Sequence, residues 1–374
     1  MGHPHEDADK GAAFLELFFD LVFVYAITQL AGFVHGDHDA GGFLRATMLF
    51  AIIWWGWSQF TWTCNGIDTG DRRAQVAVLA ATILAFFMAQ GLPDAFTADG
   101  EWFSMPFAAI MLVGLGLYWW GLRDEAEHQR ALVTYLPLAA AAALVTGVAG
   151  FLPDAAQEWG YGATIILFIV AGLAAGVGTP FHVYAGHFAE RHALIVIVAL
   201  GESVIAVGVG SGELERSTAF AFAVGAGAAG VCVFWWSYFA WFQESLEDLL
   251  QRAGPHGRSN LARDAYTFAH VPIVLGIVGI AISAEEVIAH PSEPLAGYAR
   301  FALAAGNALF LLGFVAAYRR AAGSWLFERG TAAIAIVVLV ALLPGVAALA
   351  MGMVALGLYV PALALEAYRR ARSD

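Results

Sequence analysis

Glu16 and Asp20 are two carboxylates four residues apart, at the start of a stretch otherwise fit only for lipid: Glu16-Leu-Phe-Phe-Asp20-Leu-Val-Phe-Val24. On a helix, positions i and i+4 lie on one face, so both side chains point the same way. Leaving either as an ion in hydrocarbon costs several kcal/mol or more, so both must face protein, water or a cation. Two arrangements meet that demand. One is a pair that snorkels to the interface or serves structure alone. The other is a shared, inward-facing polar site, which the partners offered by other stretches favour.

The second stretch reads Pro180-Phe-His182-Val-Tyr184-Ala-Gly-His187-Phe-Ala-Glu190-Arg191-His192. It reads as a short turn dense in ionisable groups. If the next helix begins early, His187 and Arg191 are i, i+4 neighbours. An ion pair of Arg191 with Asp20 or Glu16 would then satisfy all three groups. The histidines titrate near neutral pH in the ordinary case. Their spacing matches no zinc motif, so no metal is expected. Gly201-Glu202-Ser203 follows a run of apolar residues, which places Glu202 near the bilayer centre. A buried carboxylate there is either a proton carrier or a protonated acid that ties two helices together. His270 precedes Pro272 at the entry of a later apolar stretch. Trp54 and Trp55, and again Trp235 and Trp236, form aromatic pairs that read either as an interface belt or as the lining of an apolar or cationic ligand site.

The elements that position these residues are transmembrane helices. Of the 374 residues, 60% are hydrophobic and 13% charged, about half the charge of a soluble chain. Apolar runs long enough to cross a bilayer recur, without the strict alternation of a β-barrel. The expected fold is all-α and polytopic, with twelve spans near 13–34, 43–64, 74–92, 103–122, 131–151, 160–181, 192–211, 217–241, 265–289, 296–318, 325–343 and 346–366. Only Pro344-Gly345 separates the last two, and eleven spans with one kinked helix is the rival count. With twelve, 15 of the 18 basic residues fall on one side, among them Lys10, Arg191 and Arg329. Asp37, Asp39, Asp154, Glu158, Glu213 and Glu215 fall on the other. The positive-inside rule then puts both termini in the cytoplasm. Residues 1–10, with His3 and His5, lack the basic region of a cleaved signal peptide.

The chain reads as one integral-membrane domain, 1–374, with a faint repeat that divides it into halves 1–190 and 191–374. Trp54-Trp55-Gly56-Trp57 resembles Trp235-Trp236-Ser237-Tyr238, and Asp20 falls near Glu202 at almost the same offset. Six spans each would give the halves the same orientation. Net charge −13 argues against nucleic acid. Two cysteines in separate spans suggest neither a disulfide framework nor a metal cluster. There is no Walker loop, dinucleotide glycine fingerprint, HExxH helix or Gly-x-Ser-x-Gly elbow, and no cofactor is expected.

Glu16 to Leu30 resembles the opening signature of the bacterial low-temperature-requirement A (LtrA) family. Glu190-Arg-His192 followed by Ala199-Leu-Gly-Glu202-Ser203 is similar to its second signature, and His270-Val-Pro272 to Gly276 resembles a third. The likeness covers nearly the whole chain. It implies a polytopic inner-membrane protein and singles out Glu16, Asp20, Glu190, Arg191, His192, Glu202 and His270 as a set, without naming a chemistry. One departure stands out. The family tends to carry an acidic residue after the second aromatic pair; here the position is Ala240, with Glu244 the nearest replacement.

Two functions fit. The first is a proton-coupled secondary transporter or permease of a small molecule or ion, with membrane lipids as its surroundings. There Glu202 would carry the proton, and Glu16 and Asp20 would form a cytoplasmic gate with Arg191 as counter-ion. The second is an intramembrane enzyme acting on a lipid or isoprenoid, with Glu202 or Asp20 as general acid. A haem or other chromophore protein, with His270 or His187 as ligand, is a third class.

Overall fold

The computed structural model describes residues 11–123, 126–153, 155–175, 179–212 and 216–372. Residues 1–10, with His3, His5 and Lys10, lie outside the described residues, as do Asp154, Glu213 and Glu215. Helices occupy all twelve expected stretches, and no strand occurs among the described residues. The chain divides into two units, residues 1–194 with 247–263 and residues 195–246 with 264–374.

The first unit holds α1 (Phe14–Gly36), α2 (Ala40–Gly66), α3 (Arg72–Gln90), α4 (Glu101–Gly121), α5 (Ala126–Ala149), α6 (Ala155–Ala174) and the first turns of α7 (Ala185–Ser211). Neighbours in sequence pack as neighbours, α3 on α4, α4 on α5 and α5 on α6, while α1 lies against α2 and α3. Asp39 caps α2 through the Gly42 N–H at 2.9 Å, and Asp71 caps α3 through the Arg73 N–H at 2.7 Å. At one end of the unit, Arg45 bonds both Asp37 (2.9 Å) and Glu158 (2.8 Å). The α1–α2 and α5–α6 connections therefore meet on one side, as an up-and-down bundle requires.

The second unit takes the rest of α7, then α8 (Thr218–Phe239) and the start of α9 (Phe242–Arg252). Short α10 (Pro255–Leu261) follows in the first unit, and a π-helical stretch, Ala262–Phe268, leads into α11 (His270–Ala289). The second unit ends with α12 (Gly297–Ala322), α13 (Phe327–Leu342), α14 (Ala348–Gly357) and α15 (Tyr359–Arg370). The last apolar region is thus a separate pass from α13, broken once at Leu358. The α11–α12 and α13–α14 connections meet where the Ala348 N–H donates to the Glu293 carbonyl at 2.7 Å.

Ten described helical stretches are long and apolar enough to cross a membrane. Two of the twelve expected stretches are not among them. α13 has only 16 residues, short of the roughly 20 that a straight crossing needs. α2 has 27, but buries Ser58, Gln59, Thr61, Thr63 and Asn65 along its length. Two boundaries also move. α7 begins at Ala185, seven residues before the expected span, so His187 to His192 are helical and not a turn. The entry of α11 is lengthened by α10 and the π-helical stretch.

Lipid tails are as apolar as leucine, so membrane helices associate through close packing, and small residues at the crossing decide how close. α11 and α12 cross at Gly276, Gly279 and Gly306. A Cβ on Gly306 would lie 2.7 Å from the Ile280 nitrogen and 2.9 Å from the Gly276 carbonyl oxygen. Gly306→Leu should therefore destabilise the protein by about 1–3 kcal/mol or more, seen as a lower melting temperature in detergent. Gly297→Leu, on the same helix with nothing within 4 Å of its Cβ position, should leave it nearly unchanged.

Candidate functional site

α1 and α7 face each other through two matched pairs of residues. Glu16 and Asp20 lie one turn apart on α1; His187 and Arg191 lie one turn apart on α7. They meet as two rungs in the same order, Glu16 with His187 and Asp20 with Arg191. The Asp20 rung is a two-pronged ion pair, with Arg191 Nη1 and Nη2 each 2.8 Å from a carboxylate oxygen. In the Glu16 rung, His187 Nε2 is 3.0 and 3.1 Å from the two carboxylate oxygens. Arg191 Nε lies 3.5 Å from Glu16 Oε2 and ties the rungs together. Glu16 and Arg191 are 0% exposed and Asp20 3%.

The surroundings hold this arrangement. Trp57 on α2 donates its indole N–H to Asp20 Oδ1 at 2.9 Å, and its ring lies beneath the Arg191 guanidinium. Glu16 stands in the first turn of α1 and reaches back toward the Ala13 N–H at 3.4 Å, where the helix dipole favours an anion. Asn65, at the end of α2, brackets Tyr184 just before α7. Its Oδ1 accepts the Tyr184 N–H at 3.1 Å and its Nδ2 donates to the Tyr184 carbonyl at 3.0 Å. Those two backbone contacts fix which end of the amide is which. The same Nδ2 lies 3.0 Å from His187 Nδ1, so Nδ1 accepts and carries no proton. Nε2 is then the donor to Glu16. Among the described residues, the two buried carboxylates face one guanidinium.

The other expected residues divide. Glu190 is exposed and accepts the Ala12 N–H at 2.8 Å, pinning the segment before α1. His192 is buried one layer away. Its Nδ1 donates to the Phe188 carbonyl at 2.9 Å, and its ring meets the Trp57 edge at 5.1 Å. Trp54 packs on Phe50 and Trp57, and Trp55 stacks on Phe168 at 5.3 Å. Glu202 and His270 belong to the second unit, both buried. Tyr238 there contacts His270 Nε2 at 2.9 Å, and His270 Nδ1 bonds the Ala265 carbonyl at 3.0 Å. The π-helical turn supplies that carbonyl, because the Ala269 N–H bonds Asp264, five residues back, at 3.1 Å.

Two expectations need correction. Trp235 and Trp236 are 46% and 60% exposed and line no interior wall; the inward aromatic of that segment is Tyr238. Arg329, read as a loop cation, is fully buried at the start of α13. It bonds Glu366 of α15 at 2.8 Å and the Ser237 carbonyl at 2.9 Å, and sits 4.1 Å over the Phe314 ring. Neither Ala240 nor Glu244 takes the carboxylate role there; both are exposed.

Breaking a buried ion pair from one side leaves the other charge uncompensated. Arg191→Leu should therefore cost about 3–5 kcal/mol, measured by thermal unfolding in detergent. Arg191→Lys should recover only part of that loss, because an ammonium cannot make the two-pronged contact with Asp20.

The family model described as bacterial low temperature requirement A protein (LtrA) matches residues 11–365. An uncharacterized protein of Rhizobium meliloti (strain 1021), RA0937, is 27% identical over 313 residues, covering 81% of this chain and 76% of that protein. No solved structure matches. Glu16, Asp20, Arg191, Glu202 and His270 all fall within the matched span, and the chain is a membrane protein of the bacterial low temperature requirement A (LtrA) family.

Proposed function

We propose that this protein is a proton-coupled secondary transporter of the bacterial inner membrane, with the α1–α7 cluster as its proton and solute site. The observation that carries the reading is the charge count. Among the described residues, two buried carboxylates face one guanidinium, and Asn65 Nδ2 lies 3.0 Å from His187 Nδ1 on the side away from Glu16. A lone excess negative charge in a low-dielectric interior is costly, so the cluster takes up one proton or one cation. Asp20 already accepts from both Arg191 nitrogens and from Trp57. Glu16, whose contacts to Arg191 and Ala13 are the longer ones at 3.5 and 3.4 Å, is the group to which we assign the proton. A protonated Glu16 releases its share of Arg191 to Asp20; an ionised Glu16 draws a cation. Competition between proton and cation for one site is the elementary step of an antiporter, and it points to alkali cations and protonated amines as the first solutes to test.

The alternation of basic and acidic loops supports cytoplasmic termini, and this would place Glu16, at the start of α1, near the cytoplasmic entrance. Glu202 is buried in the second unit and takes no part in this step.

In proteoliposomes loaded with a pH-sensitive dye, an alkali cation or amine from a panel should drive a dye response in the wild type. Glu16→Gln should abolish that response while melting within a few degrees of the wild type. A full response in Glu16→Gln removes Glu16 from the mechanism. Solute uptake without any dye response removes the coupled proton.

A further inference from the structure

Helices α7, α8, α11, α12 and α14 of the second unit enclose a cavity of about 80 Å³. Its walls are almost wholly aliphatic, and its few polar groups can be accounted for one by one. Ser283 Oγ donates to the Ile280 carbonyl at 2.9 Å. Asn307 uses both ends of its amide: Nδ2 donates to the Leu303 carbonyl at 2.7 Å, and Oδ1 accepts from the Tyr359 hydroxyl at 2.7 Å. Ser203 differs. It is 2% exposed, it lines the cavity, and its hydroxyl has no partner among the described residues. Several buried hydroxyls turn back to a carbonyl one turn earlier, as those of Thr61, Thr82 and Thr146 do at 2.8–3.2 Å. The Ser203 hydroxyl instead remains available to the cavity.

We propose that this cavity binds a membrane-dissolved molecule with an aliphatic body and one hydrogen-bond-accepting oxygen, the oxygen seated on Ser203 Oγ. A water molecule suits the space poorly, because buried water needs two to four polar partners and Ser203 supplies the one donor not already engaged. An apolar cavity of about 150 Å³ holds a benzene ring, so this one encloses only the oxygen-bearing end of a chain. The remainder has a way out. Met353 lines the cavity and is itself 43% exposed, in the middle of an apolar helix, so the cavity reaches the lipid-facing side of α14. Gly227, Gly230 and Gly352 keep the walls on α8 and α14 low. An aliphatic alcohol or a lipid carbonyl meets these terms. The site lies wholly in the second unit and does not depend on the proton chemistry of the first.

The test is photolabelling of the full chain in lipid nanodiscs with a diazirine-bearing octanol, followed by peptide mapping and competition. The adduct should fall on cavity residues of α8 or α14, and unlabelled octanol should compete where octane does not. Ser203→Ala should weaken octanol competition about fivefold, the worth of one neutral hydrogen bond. Ala226→Leu, which fills the cavity from α8, should remove the adduct. Should Ser203→Ala fail to fold, the octanol–octane comparison on the wild type still decides. Equal competition by octane, an adduct elsewhere, or unchanged octanol competition in a folded Ser203→Ala overturns the proposal.

Discussion

One guanidinium shared between two carboxylates, all three out of water, is the interaction on which the first unit depends. Neither carboxylate could remain in α1 as an ion without Arg191, and Arg191 could not remain in α7 without them. The geometry follows from helix periodicity. Two residues one turn apart on α1 meet two residues one turn apart on α7, so the helices must run parallel where they touch and must be in register. A slip of one residue on either helix would rotate a side chain by about 100° and break both rungs. The site therefore constrains the fold as much as the fold positions the site.

The surrounding residues refine this pairing in two ways. Trp57 gives Asp20 a third donor and covers the cation with a π face. Asn65 acts on the other rung. By grasping the backbone of Tyr184 it pins the start of α7, and by donating to His187 it fixes the imidazole tautomer. The Glu16 rung is thus held by an imidazole donor, with Arg191 Nε at the longer distance of 3.5 Å. A second buried pair, Arg329 with Glu366, is matched one to one and shows the contrast: it closes a helix junction in the second unit and leaves no excess charge.

Much of this was legible in the sequence, for identifiable reasons. A carboxylate in an apolar run is so costly that Glu16, Asp20 and Glu202 declare themselves, and the i, i+4 spacing pointed to Arg191 as the partner of Asp20 or Glu16 without choosing between them or pairing His187. Helices at the twelve stretches followed from apolar runs and alternating charge. What could not be read was the choice between directions of equal cost. Trp235 and Trp236 are as comfortable against lipid as against protein, so periodicity did not reveal that Tyr238 is the one that turns inward. Arg329 resembles any arginine at a helix start, because its partner Glu366 lies on another helix 37 residues away. Asn65 resembles an ordinary polar residue at a helix end; only the position of Tyr184 shows its role. The early start of α7 was open, because a turn rich in polar groups and a helical first turn look alike without the capping contacts.

The most direct measurement is an infrared titration of the reconstituted protein, following the carbonyl stretch of protonated carboxylic acids as pH is lowered. If Glu16 carries the exchangeable proton, one carboxylic acid band per chain should grow in reversibly in the wild type, vanish in Glu16→Gln and persist in Glu202→Gln. An unchanged buried-acid band in Glu16→Gln, distinct from the bands of exposed carboxyls that titrate at about pH 4, or a cluster that stays ionised at every pH at which the protein remains folded, would contradict it.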